Sequence, residues 1–206
     1  SMLVNTLLNS VLQTIGHLFV GLLAAYAFAR WRFRGDTALF LLFVGTWLVP
    51  FQVTMIPNYV ILARLGWLDT LAALVVPQLA SAFGIILLRQ YMRSFPKELI
   101  DAARMDRVSS WGILWRVIVP NLRAPIAALA ILSFISTWNE YFWPLLVTSK
   151  IDRTVLQVGL QMFLSQEGDL WGPLMAGATL ATLPIFALYL LLQRQILDAF
   201  VRSGLR

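Results

Sequence analysis

Side chains that could carry out acid–base or metal chemistry are few in this sequence and lie far apart. There is one histidine, His17, and no cysteine, which excludes a Cys/His metal site, a thiol nucleophile and a structural disulfide. Glu140 is the sole acid inside a long apolar run. An enzyme working inside a membrane would need paired acids or a His/acid couple, and Glu140 with the distant His17 does not supply one. We therefore expect no catalytic residue, no metal site and no cofactor bound by this chain.

Polar side chains inside apolar runs could instead line a path for cargo. An ionisable residue there is a functional candidate, so Glu140 either hydrogen-bonds a hydroxyl-rich cargo or pairs structurally near the outer interface. Prolines in two other runs free backbone carbonyls that protein or water must satisfy, although these helices could also be merely kinked. The candidate pathway residues are Gln52, Thr54, Asn58, Gln78, Trp138, Asn139 and Glu140.

The elements that must hold these side chains are membrane helices. Of 206 residues, 59% are hydrophobic and only 13% are charged, against roughly 25% charged in a soluble domain. Most of the runs without Asp, Glu, Lys or Arg reach the roughly 20 residues that a helix needs to cross about 30 Å of hydrocarbon. We predict an all-α integral membrane protein with five transmembrane helices, over residues 3–29, 37–63, 70–90, 123–147 and 171–194.

The basic residues indicate the orientation of these helices. Thirteen of the 16 Lys and Arg residues lie in the first and third connections or after the fifth helix, if Arg89, Arg123 and Arg194 at the adjoining ends of the spans are counted with them. The other two connections hold only Arg64, Lys150 and Arg153. Because Lys and Arg in short loops stay cytoplasmic, we predict an outer amino end and a cytoplasmic carboxyl end. A nucleic-acid partner is not expected, since that would need a basic groove with stacking aromatics on a soluble surface.

The hydrophilic segment 94–120 lies in the third connection, on the predicted cytoplasmic side. Proline and helical apolar spacing predict a helix over 97–105, and Ser109 can cap a second helix that runs to about residue 119 and is ended by Pro120. We name this segment the 94–120 loop.

Two amphipathic helices of this kind need a cover for their apolar side. They could lie in the headgroup layer of the membrane, or they could fit a groove of a cytoplasmic partner. The acids Glu98, Asp101 and Asp106 favour the partner, because an anionic lipid surface repels carboxylates.

From Glu98 to Pro125 the sequence resembles the cytoplasmic EAA loop of binding-protein-dependent ABC importer permeases. That motif has Glu-Ala-Ala, two residues, Asp-Gly-Ala, and then an apolar helix closed by a proline. In the family the loop forms coupling helices that dock into a cleft of the ATPase subunit. The resemblance therefore implies a set of ATPase-coupling residues here: Glu98, Asp101, Ala102, Ala103, Asp106, Arg107, Trp111, Leu114 (in place of the usual Phe) and Pro120.

One departure from the motif concerns its turn. Arg107 stands where the family usually has Gly. Gly is favoured if the backbone there must adopt a positive φ, and a long cationic side chain would then cost about 1 kcal/mol or more. Either the turn of this chain differs, or some docking strength is lost.

Three further stretches resemble the carbohydrate-type subgroup of these permeases: "NTLLNSVLQT" from Asn5, "AAYAFARWRFRG" from Ala24 and "STWNEYFWPLL" from Ser136. The implied fold is the core of an ABC type I importer permease, one transmembrane domain over residues 1–206. Members of the subgroup usually have six spans, with an extra helix before the position of Asn5. The five spans predicted here would correspond to a chain without that amino-terminal helix.

The function implied by the resemblance is a non-catalytic permease subunit of an ATP-driven importer, for sugars, that forms half of the translocation pathway. Import of glycerol 3-phosphate or a related polyol phosphate is an alternative, and so is a self-sufficient membrane channel. The sequence has no Gly-x-x-x-x-Gly-Lys-Ser/Thr motif, so ATP and Mg would be bound by a separate chain. Implied partners are two ATPase subunits, a second permease subunit (a paralogue), an extracytoplasmic solute-binding protein and the lipid bilayer of a bacterial or archaeal cytoplasmic (inner) membrane.

Overall fold

Helices make up most of the fold. A computed structural model describes residues 1–165 and 168–204, of which residues 165, 168–169, 191–192 and 194–204 are described by their backbone alone. The described residues form twelve α-helices: α1 Met2–Arg30, α2 Asp36–Trp47, α3 Phe51–Arg64, α4 Leu71–Val75, α5 Ala82–Ser94, α6 Lys97–Met105, α7 Ser110–Gly112, α8 Val119–Asn121, α9 Arg123–Trp138, α10 Phe142–Val147, α11 Leu156–Gln161 and α12 Trp171–Gly204.

Three short segments complete the description. A 3-10 turn, Val76–Gln78, follows α4, and a π-helical segment, Ile113–Ile118, joins α7 to α8. Leu164–Ser165 (β1) pairs antiparallel with Gly168–Asp169 (β2) just before α12.

The first and fifth predicted spans are each covered by one helix, α1 and α12. Each of the other three predicted spans is divided between two helices. The second predicted span divides at Pro50, which precedes α3, whereas Pro57 lies inside α3 without ending it. The third divides around the 3-10 turn that contains Pro77. The fourth divides at residues 139–141, where no proline is present.

By length and composition alone, two described helices could each cross a membrane, namely α1 and the Trp171–Leu190 part of α12. The count reaches five if each of three bent helix pairs is one span. One of these pairs joins Ser110–Asn121 to α9 across an 83° bend, so it includes the second helix of the 94–120 loop. The prediction of five spans therefore stays a prediction.

The first half of α1 presents its polar residues to the protein and its apolar residues to the outside. Thr6, Asn9, Ser10 and Gln13 are buried, and their spacing places them on one helical face. Large apolar side chains are exposed on the rest of the same half of the helix: Leu3, Val4, Leu7, Leu8, Val11, Leu12 and Ile15. Such an exterior is typical of a helix that contacts lipid.

The chain divides into two compact units. The first contains Ser1–Ile15, Val49–Leu79 and Ile131–Arg194. Its apolar core brings α3, α4 and α10 together around Leu62, Leu74 and Trp143. The indole N–H of Trp143 donates to the carbonyl of Ala73 at 3.0 Å, which fixes α10 on α4.

The second unit contains Gly16–Leu48 and Ala80–Ala130, together with the last part of α12. Its core joins the 94–120 loop to the second half of α1, to α5 and to the start of α9. α2 has no buried residue.

Candidate functional site

The turn of the 94–120 loop is a Schellman motif with Arg107 at its left-handed position. Arg107 has φ 55°. The amide of Arg107 donates to the carbonyl of Arg104 at 2.9 Å, and the amide of Val108 donates to that of Ala103 at 3.0 Å. These two bonds define the motif, in which Gly is the usual residue at the position of Arg107. The turn therefore has the geometry that Gly would favour, and Arg107 carries the strain.

The second helix of the loop begins as the sequence indicates. The Ser109 hydroxyl accepts a hydrogen bond from the amide of Gly112 at 3.2 Å, the geometry of an N-cap. Pro120 does not end this helix, which corrects the predicted end near residue 119. Helical backbone continues from the π-helical segment through Pro120 to Asn121.

Exposure divides the predicted coupling residues into two groups. Glu98, Asp101, Ala102, Asp106 and Arg107 are exposed, and so is Trp111 at 58%. Met105, beside them, is 85% exposed, a high value for a large apolar side chain.

Ala103 and Leu114 are buried, at 8% and 1% exposed, inside the core of the second unit. The prediction that Leu114 sits in a partner's groove is therefore wrong for this structure, because its side chain is enclosed by its own chain. Ala103 likewise supports the loop from within. Pro120 is half-buried.

The buried face of the loop is continuous with the core of three longer helices. Ile100, Ile113 and Ile118 pack in one cluster with residues of α1, α5 and α9, namely Leu22, Ala25, Tyr26, Leu88, Met92 and Leu129. The loop is thus held by packing against α1 as well as by its covalent links to α5 and α9.

A cationic contact reinforces this junction. The Arg30 guanidinium at the end of α1 donates to the carbonyls of Met92, at 2.6 Å, and Phe95, at 3.2 Å. Both carbonyls belong to the carboxyl end of α5, where helix carbonyls lack intrahelical partners and attract cations.

The pathway candidates on α3 do not share one face. Phe51, Met55 and Tyr59 pack against the core of the first unit. Gln52 and Thr54 are exposed, and at about 100° per residue they lie on opposite sides of that packed face. The Thr54 hydroxyl donates to the carbonyl of Phe51 at 3.0 Å.

Asn58 and Gln78 are both half-buried. Asn58 lies one turn beyond Thr54 on α3, and Gln78 lies in the 3-10 turn after α4. Either side chain could contribute polar groups to a pathway.

Trp138 is buried, which corrects its assignment as a pathway residue. It is 1% exposed, and its indole N–H donates to the carbonyl of Ala181 on α12 at 3.1 Å. Its ring also stacks on Phe134, with centroids 5.6 Å apart. In this conformation the side chain holds α9 on α12 and has no surface for cargo.

Glu140 and Asn139 lie in the break between α9 and α10. A Glu140 carboxylate oxygen accepts from the amide of Trp143 at 3.3 Å, which satisfies a donor in the first turn of α10. The Asn139 amide donates to the carbonyl of Ile135 at 2.8 Å, and its side-chain oxygen faces the Gln157 amide at 3.5 Å. Glu140 therefore makes a structural contact to α10, while Asn139 is exposed.

A buried polar network on α1 was not singled out from the sequence. Gln13 donates to Asn9 at 3.1 Å and to the carbonyl of Leu74 at 3.0 Å, and it accepts from the Thr137 hydroxyl at 3.3 Å. The i, i+3, i+4, i+7 spacing of Thr6, Asn9, Ser10 and Gln13 was the available signal, since polar residues on one face of an apolar run indicate a protein-facing stripe.

Asp69 links two connections in the first unit and was also missed. It has φ 60°, and its carboxylate accepts from the amides of Ser149, at 2.6 Å, and Lys150, at 3.0 Å. The backbone N–H groups of Lys150 and Ser149 lower the pKa of the Asp69 carboxyl from its ordinary value. No local pattern marks this residue, because its partners are about eighty residues away in the chain.

The arrangement offers docking and packing surfaces rather than reactive groups. Among the described side chains, no three His, Cys, Asp or Glu residues come together in a way that could hold a metal ion. A predominantly helical chain with an apolar exterior and an amphipathic loop built into its core has the architecture of an integral membrane protein.

The comparisons with known proteins establish the family. The family model described as "Binding-protein-dependent transport system inner membrane component" matches residues 17–202. The chain belongs to this family. It is a membrane-spanning permease subunit of an ATP-binding-cassette importer, as the sequence motifs indicate.

Several relatives align over almost the whole chain. It is 30% identical over 202 residues to the arabinooligosaccharides transport system permease protein of Halalkalibacterium halodurans, covering 98% of this chain and 72% of that protein. It is 33% identical over 204 residues to the sn-glycerol-3-phosphate transport system permease protein of Yersinia enterocolitica, covering 98% and 73%. It is 33% identical over 199 residues to the lactose transport system permease protein of Rhizobium radiobacter, covering 97% and 73%.

The fold is also similar to a solved one. A bacterial ABC transporter involved in the import of the acidic polysaccharide alginate contains a chain that is 28% identical to this one, with a TM-score of 0.80, over 94% of this chain and 73% of that one. The fold is therefore that of an ABC importer permease.

Proposed function

We propose that this chain imports a sugar, and that its 94–120 loop transmits the movement of an ATPase partner to the membrane helices. One observation carries the proposal: the loop exposes Met105 and Trp111 while its opposite face is built into the core with α1, α5 and α9. An exposed apolar patch rimmed by polar residues commonly marks a protein or membrane interaction site.

The chemistry of the exposed face suits a protein groove. Leu99, Ala102 and Met105 are exposed at helical spacing on α6, and the acids Glu98, Asp101 and Asp106 border them. A groove with an apolar floor and a basic rim would complement this surface. Interfaces of this kind commonly depend on one or two large anchors, and here these would be Met105 and Trp111.

Movement would pass through the loop as a rigid body. Packed cores change by small shifts between discrete arrangements rather than by continuous deformation. Because α6 and the π-helical segment share one core with Leu22, Met92 and Leu129, displacement of the loop displaces the ends of α1, α5 and α9 together. ATP-driven closure of the partners would then alternate the access to the cargo path.

The proposed assembly contains two ATPase subunits, a second permease subunit and an extracytoplasmic solute-binding protein. ATP and Mg would be bound by the ATPase subunits. This chain would supply half of the translocation pathway, in five spans, with the loop on the cytoplasmic side of the inner membrane as the positive-inside rule predicts.

A neutral sugar is the cargo that most of the relatives compared above favour. Relatives named for arabinooligosaccharides and lactose support it. The relative named for sn-glycerol-3-phosphate supports a polyol phosphate as the second candidate.

Single-cysteine cross-linking tests the docking face, since the chain has no cysteine of its own. Ala102→Cys and Ser109→Cys place a thiol on exposed positions of the loop, and Ala103→Cys places one on the adjacent buried position. In membranes containing the complete transporter, we expect cross-links from 102 and 109 to the ATPase subunit and none from 103. Cross-links from 102 and 109 to lipid alone would refute the docking proposal.

Uptake measurements test the cargo. Proteoliposomes with the complete transporter and its binding protein should accumulate labelled sugar, and a hundredfold excess of glycerol 3-phosphate should not compete. Uptake that continues with an ATPase subunit unable to hydrolyse ATP would instead indicate a channel.

A further inference from the structure

A cavity of about 440 Å³ lies in the second unit beside the end of α1, and its walls are strongly basic. We name it the basic pocket, and its charged lining residues are Arg30, Arg32, Arg93, Lys97, Arg104 and Asp101. Five cations and one carboxylate thus surround one space.

Within the described part of the chain, the lining of the basic pocket carries an excess of positive charge. Among the described residues, the recorded ion pairs are Asp101 with Arg104 at 3.5 Å, and Asp152 with Arg153. Arg30 donates to two backbone carbonyls. Arg32, Arg93 and Lys97 therefore face the cavity without a described carboxylate partner. Like charges held close together are unfavourable unless an anion joins them.

An adjoining cavity adds aromatic side chains to this basic surface. It has a volume of about 620 Å³ and shares Arg32 and Arg93 with the basic pocket. The rest of its lining combines Phe28, Trp31 and Phe33 with polar groups, among them the carboxylate of Asp36, and Trp31 is 55% exposed. Exposed aromatic rings beside cations are typical of the level where lipid headgroups meet the acyl chains.

We propose that the basic pocket binds a phosphate group, and that this phosphate belongs to the headgroup of an anionic phospholipid of the cytoplasmic leaflet. Arg32, Arg93 and Lys97 would hold the phosphate oxygens, and the Phe28, Trp31 and Phe33 wall would contact the start of the acyl chains. Basic pockets at the cytoplasmic ends of membrane helices bind anionic headgroups in this manner. A free phosphate would have no use for the aromatic wall.

The consequence would be a lipid that joins the 94–120 loop to α1. Lys97 is the first residue of α6 and Arg104 lies two turns further, whereas Arg30 and Arg32 belong to the end of α1 and the turn after it. The cytoplasmic position of the pocket rests on the orientation proposed above, but the binding itself does not depend on the transport of sugar.

Native mass spectrometry of the purified complete transporter tests the proposal by measuring the affinity of each ligand. The transporter would be titrated with 1-palmitoyl-2-oleoyl-phosphatidylglycerol, with the corresponding phosphatidylcholine, and with inorganic phosphate. The double variant Arg32→Gln and Lys97→Gln removes two pocket cations. The matched control, Arg116→Gln and Arg123→Gln, removes two cations near the second helix of the loop that do not line the pocket.

We expect the phosphatidylglycerol affinity of the pocket variant to fall about thirtyfold, since each cation near a headgroup contributes about one factor of five or six. The control variant should stay within about twofold of the native protein, and phosphatidylcholine should bind equally to all three. Equal losses in both variants would show only a general attraction of the basic face and would overturn the proposal. Phosphate that displaces phosphatidylglycerol from the native protein at submillimolar concentration would overturn the lipid assignment in favour of a soluble phosphate.

Two further measurements keep these outcomes interpretable. Arg93→Gln alone provides a second route if the double variant unfolds, with an expected loss of about fivefold. Cross-linking from Ala102→Cys in the pocket variant separates the two proposals. Loss of lipid binding with retained cross-links to the ATPase subunit supports both the lipid site and the docking proposal. Retained lipid binding without cross-links overturns both the lipid site and the docking proposal.

Discussion

The guanidinium of Arg30 donates a 2.6 Å hydrogen bond to the carbonyl oxygen of Met92, and so ties the end of α1 to the end of α5 just before the 94–120 loop begins. The same group reaches the carbonyl of Phe95 at 3.2 Å. A motion delivered to the loop therefore reaches a helix that is distant from it in sequence.

Removing this contact should loosen the junction. Arg30→Met leaves the carbonyls of Met92 and Phe95 without their charged donor, at a cost of about 1.5–3 kcal/mol. We expect the melting temperature of the purified transporter to fall by about 3–10 °C. Arg34→Met is the control, because Arg34 is exposed and equally cationic. Equal melting temperatures for the two variants would show that the contact contributes nothing measurable.

A substitution in the strained turn at Arg107 should raise the melting temperature rather than lower it. Arg107→Gly relieves a left-handed residue, which should stabilise the protein by about 1 kcal/mol and raise its melting temperature by about 2–4 °C. Gly66 provides the reciprocal test, because it has φ 68° at the same position of a second Schellman motif, with amides of Gly66 and Trp67 donating to Ala63 and Leu62.

A Cβ at Gly66 would meet nothing within 4 Å, so Gly66→Ala changes only the backbone preference. We expect it to lower the melting temperature by a similar amount, about 2–4 °C. A rise for Gly66→Ala, or a fall for Arg107→Gly, would contradict the assignment of strain to the positive φ.

Trp111 and Leu114 should separate docking from folding. Trp111→Ala removes an exposed anchor, so we expect near-native melting but a loss of cargo-stimulated ATP hydrolysis and uptake, since a central Trp commonly contributes 2 kcal/mol or more to an interface, about thirtyfold in affinity. Leu114→Ala opens a cavity in the core and should destabilise the fold by about 2–5 kcal/mol. The reverse pattern, with a stable uncoupled Leu114→Ala and a fully coupled Trp111→Ala, would place the docking contact elsewhere.

Glu140 should behave as a helix cap. Glu140→Gln keeps a side-chain oxygen that can accept from the amide of Trp143, so we expect the KM for uptake to stay within about twofold. Glu140→Ala loses the acceptor and should cost about 1 kcal/mol of stability. A large rise in KM for Glu140→Gln, with unchanged melting, would instead show that the carboxylate contacts cargo.

The Asp69 contact should weaken in acid. Since the amides of Lys150 and Ser149 lower the pKa of this carboxyl, the ionised form is favoured in the folded protein, and the contact is complete above the ordinary value of 3.8. It is lost as the pH falls through the lowered pKa of the folded state. Hydrogen exchange at residues 149 and 150, corrected for intrinsic rates, should therefore accelerate below pH 3.8.

Asp69→Asn is the matched variant for that measurement, since Asn tolerates a positive φ and keeps an acceptor oxygen. Its exchange at 149 and 150 should show no acid step. Asp152→Asn is the control, because Asp152 is an exposed acid close to residues 149 and 150, and this variant should retain the acid step of the native protein. An unchanged acid step in Asp69→Asn would exclude Asp69 as the origin of the step.

Local signals in the sequence predicted the 94–120 loop well. The helix at Lys97–Met105 and the cap at Ser109 agree with the structure, because caps and prolines act over a few residues. Which side of the loop is buried was not predictable in the same way. Leu99 and Met105 are exposed while Ile100 is buried, and that choice is made by the core residues of α1 and α5.

In the membrane helices too, local signals predicted some features, and contacts between distant residues decided others. Proline marked two of the three breaks, but the break at residues 139–141 has no proline and coincides with Glu140 capping α10. Burial of Trp138 depends on the carbonyl of Ala181, 43 residues away, so no local pattern could have indicated it. The buried stripe on α1 is different, since its spacing was present in the sequence to be found.

The first half of α1, with polar side chains buried and apolar ones exposed, has a calorimetric consequence. Heat capacity rises on denaturation when apolar surface passes from a protein interior into water, but Leu7, Leu8 and Val11 already face outward in the native state. Separation of the first half of α1 from its neighbours within a bilayer would expose Asn9 and Gln13 to hydrocarbon rather than leucines to water. The enthalpy of that local step should consequently vary little with temperature, in contrast to the steeply curved thermograms of soluble helical proteins.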